Sequence, residues 1–235
     1  MECPPSKQSQ AMNTDSLRHP LIRTLLVLTL TTGVIDAACY LGLGRVFAAN
    51  MTGNVVLLGF GIAGSPGLPI VAPLVSLMAF LAGAVVGGRM EATLPAREAH
   101  LSRAMLAEVG LIGLATLIAV VFDITPDRFS GDLIIALLAF AMGIRNATVR
   151  RLKIADLTTT VLTMTLTGLA ADSHLAEGEG RGGWRRATAV VSMLVGAVAG
   201  GLLVKADLAL VLFAAAALAS ATWLVFMPAA ITAGE

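Results

Sequence analysis

The run Leu81-Ala82-Gly83-Ala84-Val85-Val86-Gly87-Gly88 returns 113 residues later as Leu194-Val195-Gly196-Ala197-Val198-Ala199-Gly200-Gly201. Upstream, Gly33-Val34-Ile35-Asp36-Ala37 returns as Gly143-Ile144-Arg145-Asn146-Ala147 at an offset of 110. Unequal connecting loops produce such unequal offsets, so the chain reads as two related halves. Both repeated stretches are apolar and rich in small residues, which sets the question of what surrounds them.

Composition answers it. Of 235 residues, 57% are hydrophobic and 13% charged. A soluble domain carries about 25% charged residues, so lipid is the expected solvent. Eight apolar stretches follow one another: Leu21–Leu43, Phe47–Ala63, Leu68–Gly88, Met105–Phe122, Leu133–Val149, Leu157–Ala171, Ala187–Val204 and Leu208–Met227. A spanning helix needs about 20 apolar residues, and six of the stretches are acceptable. The second and sixth are short and carry polar runs. One holds Ala49-Asn50-Met51-Thr52-Gly53-Asn54; the other holds Thr158-Thr159-Thr160, then Thr163, Thr165 and Thr167-Gly168.

Basic residues decide how many stretches cross, because cytoplasmic loops are enriched in Lys and Arg. With eight crossings the Lys and Arg divide 7 inside against 9 outside, which is no bias. If the second and sixth stretches enter and leave on one side, the division becomes 13 against 3. Six spans, two short re-entrant or broken segments and cytoplasmic termini are therefore expected. Each half is then span, short segment, span, span. Three crossings per half is odd, so the second half is inverted relative to the first, the architecture of many secondary transporters. Eight spans would make the repeats parallel instead. The fold class expected is an all-α polytopic membrane helix bundle. It is one transmembrane domain over residues 21–228, with repeats 21–122 and 132–228, behind a disordered polar tail of residues 1–20. Arg18 and Arg23 before an apolar run, and Ala37-Ala38-Cys39, also fit a cleaved signal. Asp36 and the many later spans argue for an uncleaved first helix.

Asp36 is the sharpest single residue. It lies about two-thirds along the first span with no charge nearby in sequence. Such an acid faces the bundle interior, and it is a candidate for proton or cation coupling or for substrate contact. Thr29, Thr32, Asp36, Cys39 and Tyr40 form one polar stripe at helical spacing. Asn50, Thr52, Gly53 and Asn54 offer amide, hydroxyl and free backbone where the chain can break. In the second half Asp156, Thr160, Thr163 and Thr167 share one helical face. Arg145 and Asn146 precede Arg150, Arg151 and Lys153 near the cytoplasmic end of the fifth span. Arg145 is a candidate partner for Asp36, for Asp156 or for an anionic solute. Against these readings stands interhelical bonding by Thr and Asn, which holds membrane helices together without any ligand.

Ala79, Gly83 and Gly87, with their counterparts Ser192, Gly196 and Gly200, are small residues spaced by four, which let helix backbones approach closely. The contact lies within one chain or between two copies in a homo-oligomer. No catalytic residue, metal ligand set or cofactor is expected: His19, His100 and His174 are scattered, and no zinc spacing, nucleophile elbow or Walker loop occurs. Cys3 and Cys39 make no disulfide framework. The net charge of +1 implies no nucleic-acid partner.

Asp36-Ala37, Leu43-Gly44, Thr52-Gly53-Asn54, Gly143-Ile144-Arg145-Asn146-Ala147, Arg150-Arg151 and Asp156-Leu157-Thr158-Thr159-Thr160 through Thr167-Gly168 together resemble the YoaK-like family of bacterial multipass membrane proteins, a domain of unknown function. The resemblance covers nearly all of the chain after the polar tail and implies a bacterial inner-membrane protein. It brings no substrate or catalytic residue with it. The function expected from the residues is a small secondary transporter, with the lipid bilayer and a small solute as partners. The alternative is a non-transporting scaffold or a lipid-active membrane protein. A polar, water-accessible cavity reaching Asp36 separates the first from the second.

Overall fold

The computed structural model describes residues 20–92, 97–122, 124, 129–152, 162–176, 178 and 182–232. Apart from Pro20, the tail lies outside them, as do Asp156 and Thr160. Among the described residues six helices are long and apolar enough to cross a membrane. They are α1 (Pro20–Ala38, prolonged by a π-helical turn, Cys39–Gly44), α3 (Val71–Ala92), α4 (Arg97–Val121), α5 (Phe129–Leu152), α7 (Gly183–Val204) and α8 (Leu208–Thr232). Two shorter apolar helices, α2 (Met51–Ile62) and α6 (Leu162–Ala171), fall in the second and sixth stretches. At 1.5 Å per residue α2 is about 18 Å long, well short of a hydrocarbon core of about 30 Å.

The first short segment turns back on itself. Arg45, in the left-handed region at φ 52°, stops the π turn that ends α1. Its Nη1 donates to the Gly67 carbonyl at 3.2 Å. The stretch between them therefore leaves and returns at the same end of α1. Gly64 and Gly67, at φ 78° and 71°, supply the left-handed backbone of the return turn.

Helices α1 and α5 are central. Most of their span residues are buried, 67% and 61%, against 17–28% in the other four, whose Leu, Val and Phe side chains face outward. Helix α3 packs along α5, and α7 packs along α1. The third helix of each half thus lies on the first helix of the other half. Helix α4 also contacts α5, α8 contacts α1, and α4 and α8 touch each other. At one end Ile22, Leu25 and Leu28 of α1 cluster with Leu101 and Met105 of α4, Val149 of α5 and Ala189 of α7. At the other end Leu43 meets Ala72, Ile134, Ile135, Val211 and Leu212.

The glycines mark where backbones touch. A Cβ on Gly83 would overlap the Phe140 carbonyl, and one on Gly143 the Phe80 carbonyl. In the other pair a Cβ on Gly196 would overlap the Leu30 carbonyl, and one on Gly33 the Met193 carbonyl. Gly87 abuts Ile144 and Ala147, and Gly200 abuts Val34 and Ala37. The two small-residue stripes do not face each other; each receives the first helix of the opposite half. Ala79 and Ser192 are half-buried in the same helices.

An ion pair ties three helices. Arg145 of α5 is 1% exposed, and its Nη1 donates to Glu108 Oε1 of α4 at 2.9 Å and to the Leu28 carbonyl of α1 at 3.2 Å. Its Nη2 donates to Thr32 Oγ1 and to Met142 Sδ. Arg145 is thus a buried residue in the last third of α5, paired with an acid of another helix.

Two outcomes follow for stability, measured by equilibrium unfolding in mixed micelles. Gly143→Ala is expected to lose about 1–3 kcal/mol by overpacking, whereas Gly110→Ala, with nothing within 4 Å of its added methyl, is expected to be neutral or gain up to about 1 kcal/mol. Arg145→Met is expected to lose about 3–5 kcal/mol because Glu108 is stranded, and the Arg145→Met/Glu108→Leu pair is expected to recover most of it. Additive losses in the double variant would show that the two side chains do not act as a pair.

Candidate functional site

The site grows from the backbone that cannot be helical. Between the end of α1 and Met51 the chain has no helical hydrogen bonds of its own, and in lipid each unmade bond costs several kcal/mol. Asp36 supplies the acceptor. Its Oδ1 takes the N–H of Ala48 at 2.8 Å and of Ala49 at 2.9 Å. Asp36 precedes Gly44 by eight residues, so the loop reaches back about 12 Å along α1 to meet it. Asn50 Oδ1 then caps α2 by accepting from Gly53 N at 3.1 Å. Asn54 finishes the latch: its Oδ1 accepts from Phe47 N at 2.8 Å, and its Nδ2 donates to the Phe47 carbonyl at 2.7 Å and to Ser76 Oγ of α3 at 3.0 Å. Ser76 Oγ also donates to the Phe47 carbonyl.

Beside this loop lies a cavity of about 250 Å³. Thr32 and Asp36 of α1, Ala49 and Asn50 of the loop, Leu162, Thr163 and Leu166 of α6, and Met193 of α7 line it. Both short segments contribute to the wall. The opposite end of α6 is held at the start of α7, where Arg186 Nη1 donates to the Gly168 carbonyl at 2.5 Å and to Asp172 Oδ2 at 2.6 Å. Asp36 is 5% exposed, and its second oxygen, Oδ2, has no hydrogen-bond partner among the described residues.

The residues singled out in the sequence do not all meet in one place. Asp36, Asn50 and Thr163 lie together at the cavity. Asn54 is fully buried in the latch, and Gly53 packs against the Phe47 ring. Thr52 and Thr167 are exposed, with Thr167 Oγ1 donating to the Thr163 carbonyl at 2.9 Å. Asn146, half-buried, is not among the cavity's lining residues. Asp156 and Thr160 lie outside the described residues. Arg145 forms its ion pair with Glu108 rather than with Asp36, because the rotation of α5 aims the guanidinium at α4.

Glu108 and Ser76 have no part in the sequence reading. Glu108 carried the same signal as Asp36, an acid within an apolar stretch. Ser76 carried none, since a lone hydroxyl in a span is ordinary. Among the described residues there is no group of three His, Cys, Asp or Glu side chains able to hold a metal.

Comparison with known proteins agrees with this architecture. The family model described as "Protein of unknown function (DUF1275)" matches residues 24–225. A relative from Bacillus subtilis (strain 168), "UPF0700 transmembrane protein YoaK", is 34% identical over 152 residues, 63% of this chain and 65% of the relative. The chain thus matches just under two-thirds of that protein's length. No solved structure matches. With six apolar helices of spanning length and a family match running from the first span to the last, the chain is a multi-pass membrane protein that belongs to the DUF1275 (YoaK-like) family.

Proposed function

We propose that the chain is a small secondary transporter of inverted-repeat type in the bacterial inner membrane, with both termini cytoplasmic. The observation that carries this reading is the cavity: it reaches a buried carboxylate, Asp36, and is walled by the short segments of both halves. Transporters of this type place solute sites at discontinuous helices near the bilayer midplane. The exchange of helices between halves supports the repeat, since α3 on α5 and α7 on α1 are the same contact made twice. The meeting of the starts of α1, α4 and α7 at one end of the bundle supports opposed halves. A scaffold has no use for an open carboxylate beside a cavity, and a helix-packing role for Asp36 leaves Oδ2 without a task.

Asp36 contacts the solute or carries the coupling ion, while Asn50 and Thr163 offer an amide and a hydroxyl. In the sequence Asp156 and Thr160 fall at helical spacing from Thr163, and they are included in this reading as further solute contacts. Arg145 does not reach the solute; through Thr32 it holds one wall of the site in place.

Orientation is tested with single-cysteine variants in a chain carrying Cys3→Ser and Cys39→Ala. Ala63→Cys and Ala206→Cys are expected to react with a membrane-impermeant maleimide from the outside only, and Ala176→Cys from the cytoplasmic side only. Ala63 and Ala206 on opposite sides would overturn the six-span inverted scheme. Function is tested in proteoliposomes given a bacterial metabolite extract under an inward proton gradient, with accumulated solutes identified by mass spectrometry. Accumulation of a defined solute is expected, reduced at least about tenfold by Asp36→Asn and several-fold by Thr163→Val, but unaltered by Thr52→Val. Equal accumulation by wild type and Asp36→Asn would overturn the assignment of Asp36.

A further inference from the structure

The charges around the cavity do not balance, and the imbalance has a sign. Three ionisable side chains meet there through short links: Asp36, Arg145 and Glu108. Arg145 is committed to Glu108 at 2.9 Å, and its remaining Nη contacts are the Leu28 carbonyl, Thr32 and Met142. It is 1% exposed and does not line the cavity. Among the described residues no Lys or Arg forms an ion pair with Asp36. At the start of α2 Asn50 accepts from Gly53 N–H, and just before it Asp36 Oδ1 accepts from Ala48 and Ala49 N–H. What the cavity presents is one carboxylate oxygen, Oδ2, without a partner among the described residues.

The wall around it is half hydrocarbon. Ala49, Leu162, Leu166 and Met193 contribute apolar surface beside Asn50 and Thr163. A divalent cation takes six or more oxygen ligands, usually including several carboxylates, and a hydrated ion gains nothing from leucine. An alkyl chain does. The cavity, about 250 Å³ and open on one side, has room for a small solute.

We propose that the cavity binds a short-chain primary ammonium, with its nitrogen donating to Asp36 Oδ2 and its carbon chain against Leu162, Leu166 and Met193. This rests on the reading of the cavity as a solute site and names the class of solute.

The test is binding to the purified full chain in detergent, with n-propylammonium as probe and propionate, n-propanol and sodium as comparators. Saturable stabilisation against heat by n-propylammonium alone is expected. Asp36→Asn keeps an oxygen for the Ala48 and Ala49 N–H groups while removing the charge, and it is expected to weaken binding at least about tenfold. Leu166→Phe fills the cavity without touching Asp36 and is expected to weaken binding likewise, which keeps the test decisive should Asp36→Asn fail to fold. Equal stabilisation by sodium, tighter binding of propionate, or undiminished propylammonium binding by both variants overturns the proposal. The transport reading fails separately: saturable amine binding without amine uptake in proteoliposomes supports the site and overturns the transporter. Asp36-dependent uptake of a non-amine solute, with no binding of propylammonium, does the reverse.

Discussion

Asp36 Oδ1 holding the N–H groups of Ala48 and Ala49 is the contact on which the first half of the protein depends. A chain that abandons the helix inside a bilayer must find acceptors for its amides at once. Here a single carboxylate oxygen meets two of them, and Asn54 meets both polar groups of Phe47. That permits a segment of non-helical backbone to lie beside α1 and a short helix to lead back out along α3. The cavity is the space this detour leaves between α1, the loop and α6. Structure and candidate function share one side chain: Oδ1 keeps the loop in place and Oδ2 faces the space.

Around that detour the bundle is built from two helix pairs of the same design. Glycine on α3 and α5 brings one pair into backbone contact, and glycine on α7 and α1 the other. The pairs differ in polarity. Where α1 has Asp36, α5 has Asn146. Arg145 and Glu108 tie the polar wall of α1 to α4 and α5, and Thr32 belongs both to this network and to the cavity lining. Thr32 thus joins the Arg145–Glu108 pair to the cavity wall through one charge-assisted hydrogen bond.

The spans were legible because apolar length is a property of contiguous sequence. The six helices follow the six long stretches, and the break at Asn50–Asn54 was visible because amide, hydroxyl and glycine cluster there. Side-chain direction was less legible. Thr52 and Asn54 look equivalent in the sequence, yet two residues on a helix rotate the side chain by about 200°, so Asn54 is buried and Thr52 exposed. The partner of Arg145 lies 37 residues away on another helix, and only the rotation of both helices selects Glu108 over Asp36. The small-residue stripes announced close contact but not the partner, because exchange between halves is a property of the tertiary arrangement.

That exchange has a consequence in time. Helix α1 leaves the ribosome about 140 residues before α7, the helix that packs along it. At roughly 5–20 residues per second the interval is on the order of ten seconds. For that period Thr29, Thr32 and Asp36 sit in a helix whose covering neighbour does not yet exist. Helix α1 precedes its partner by that interval, so its polar face lacks this neighbour while α3, α4 and α5 are being made. Assembly of this membrane domain is thus bound to its final third, and a chain truncated before Gly183 leaves α1 open to the bilayer.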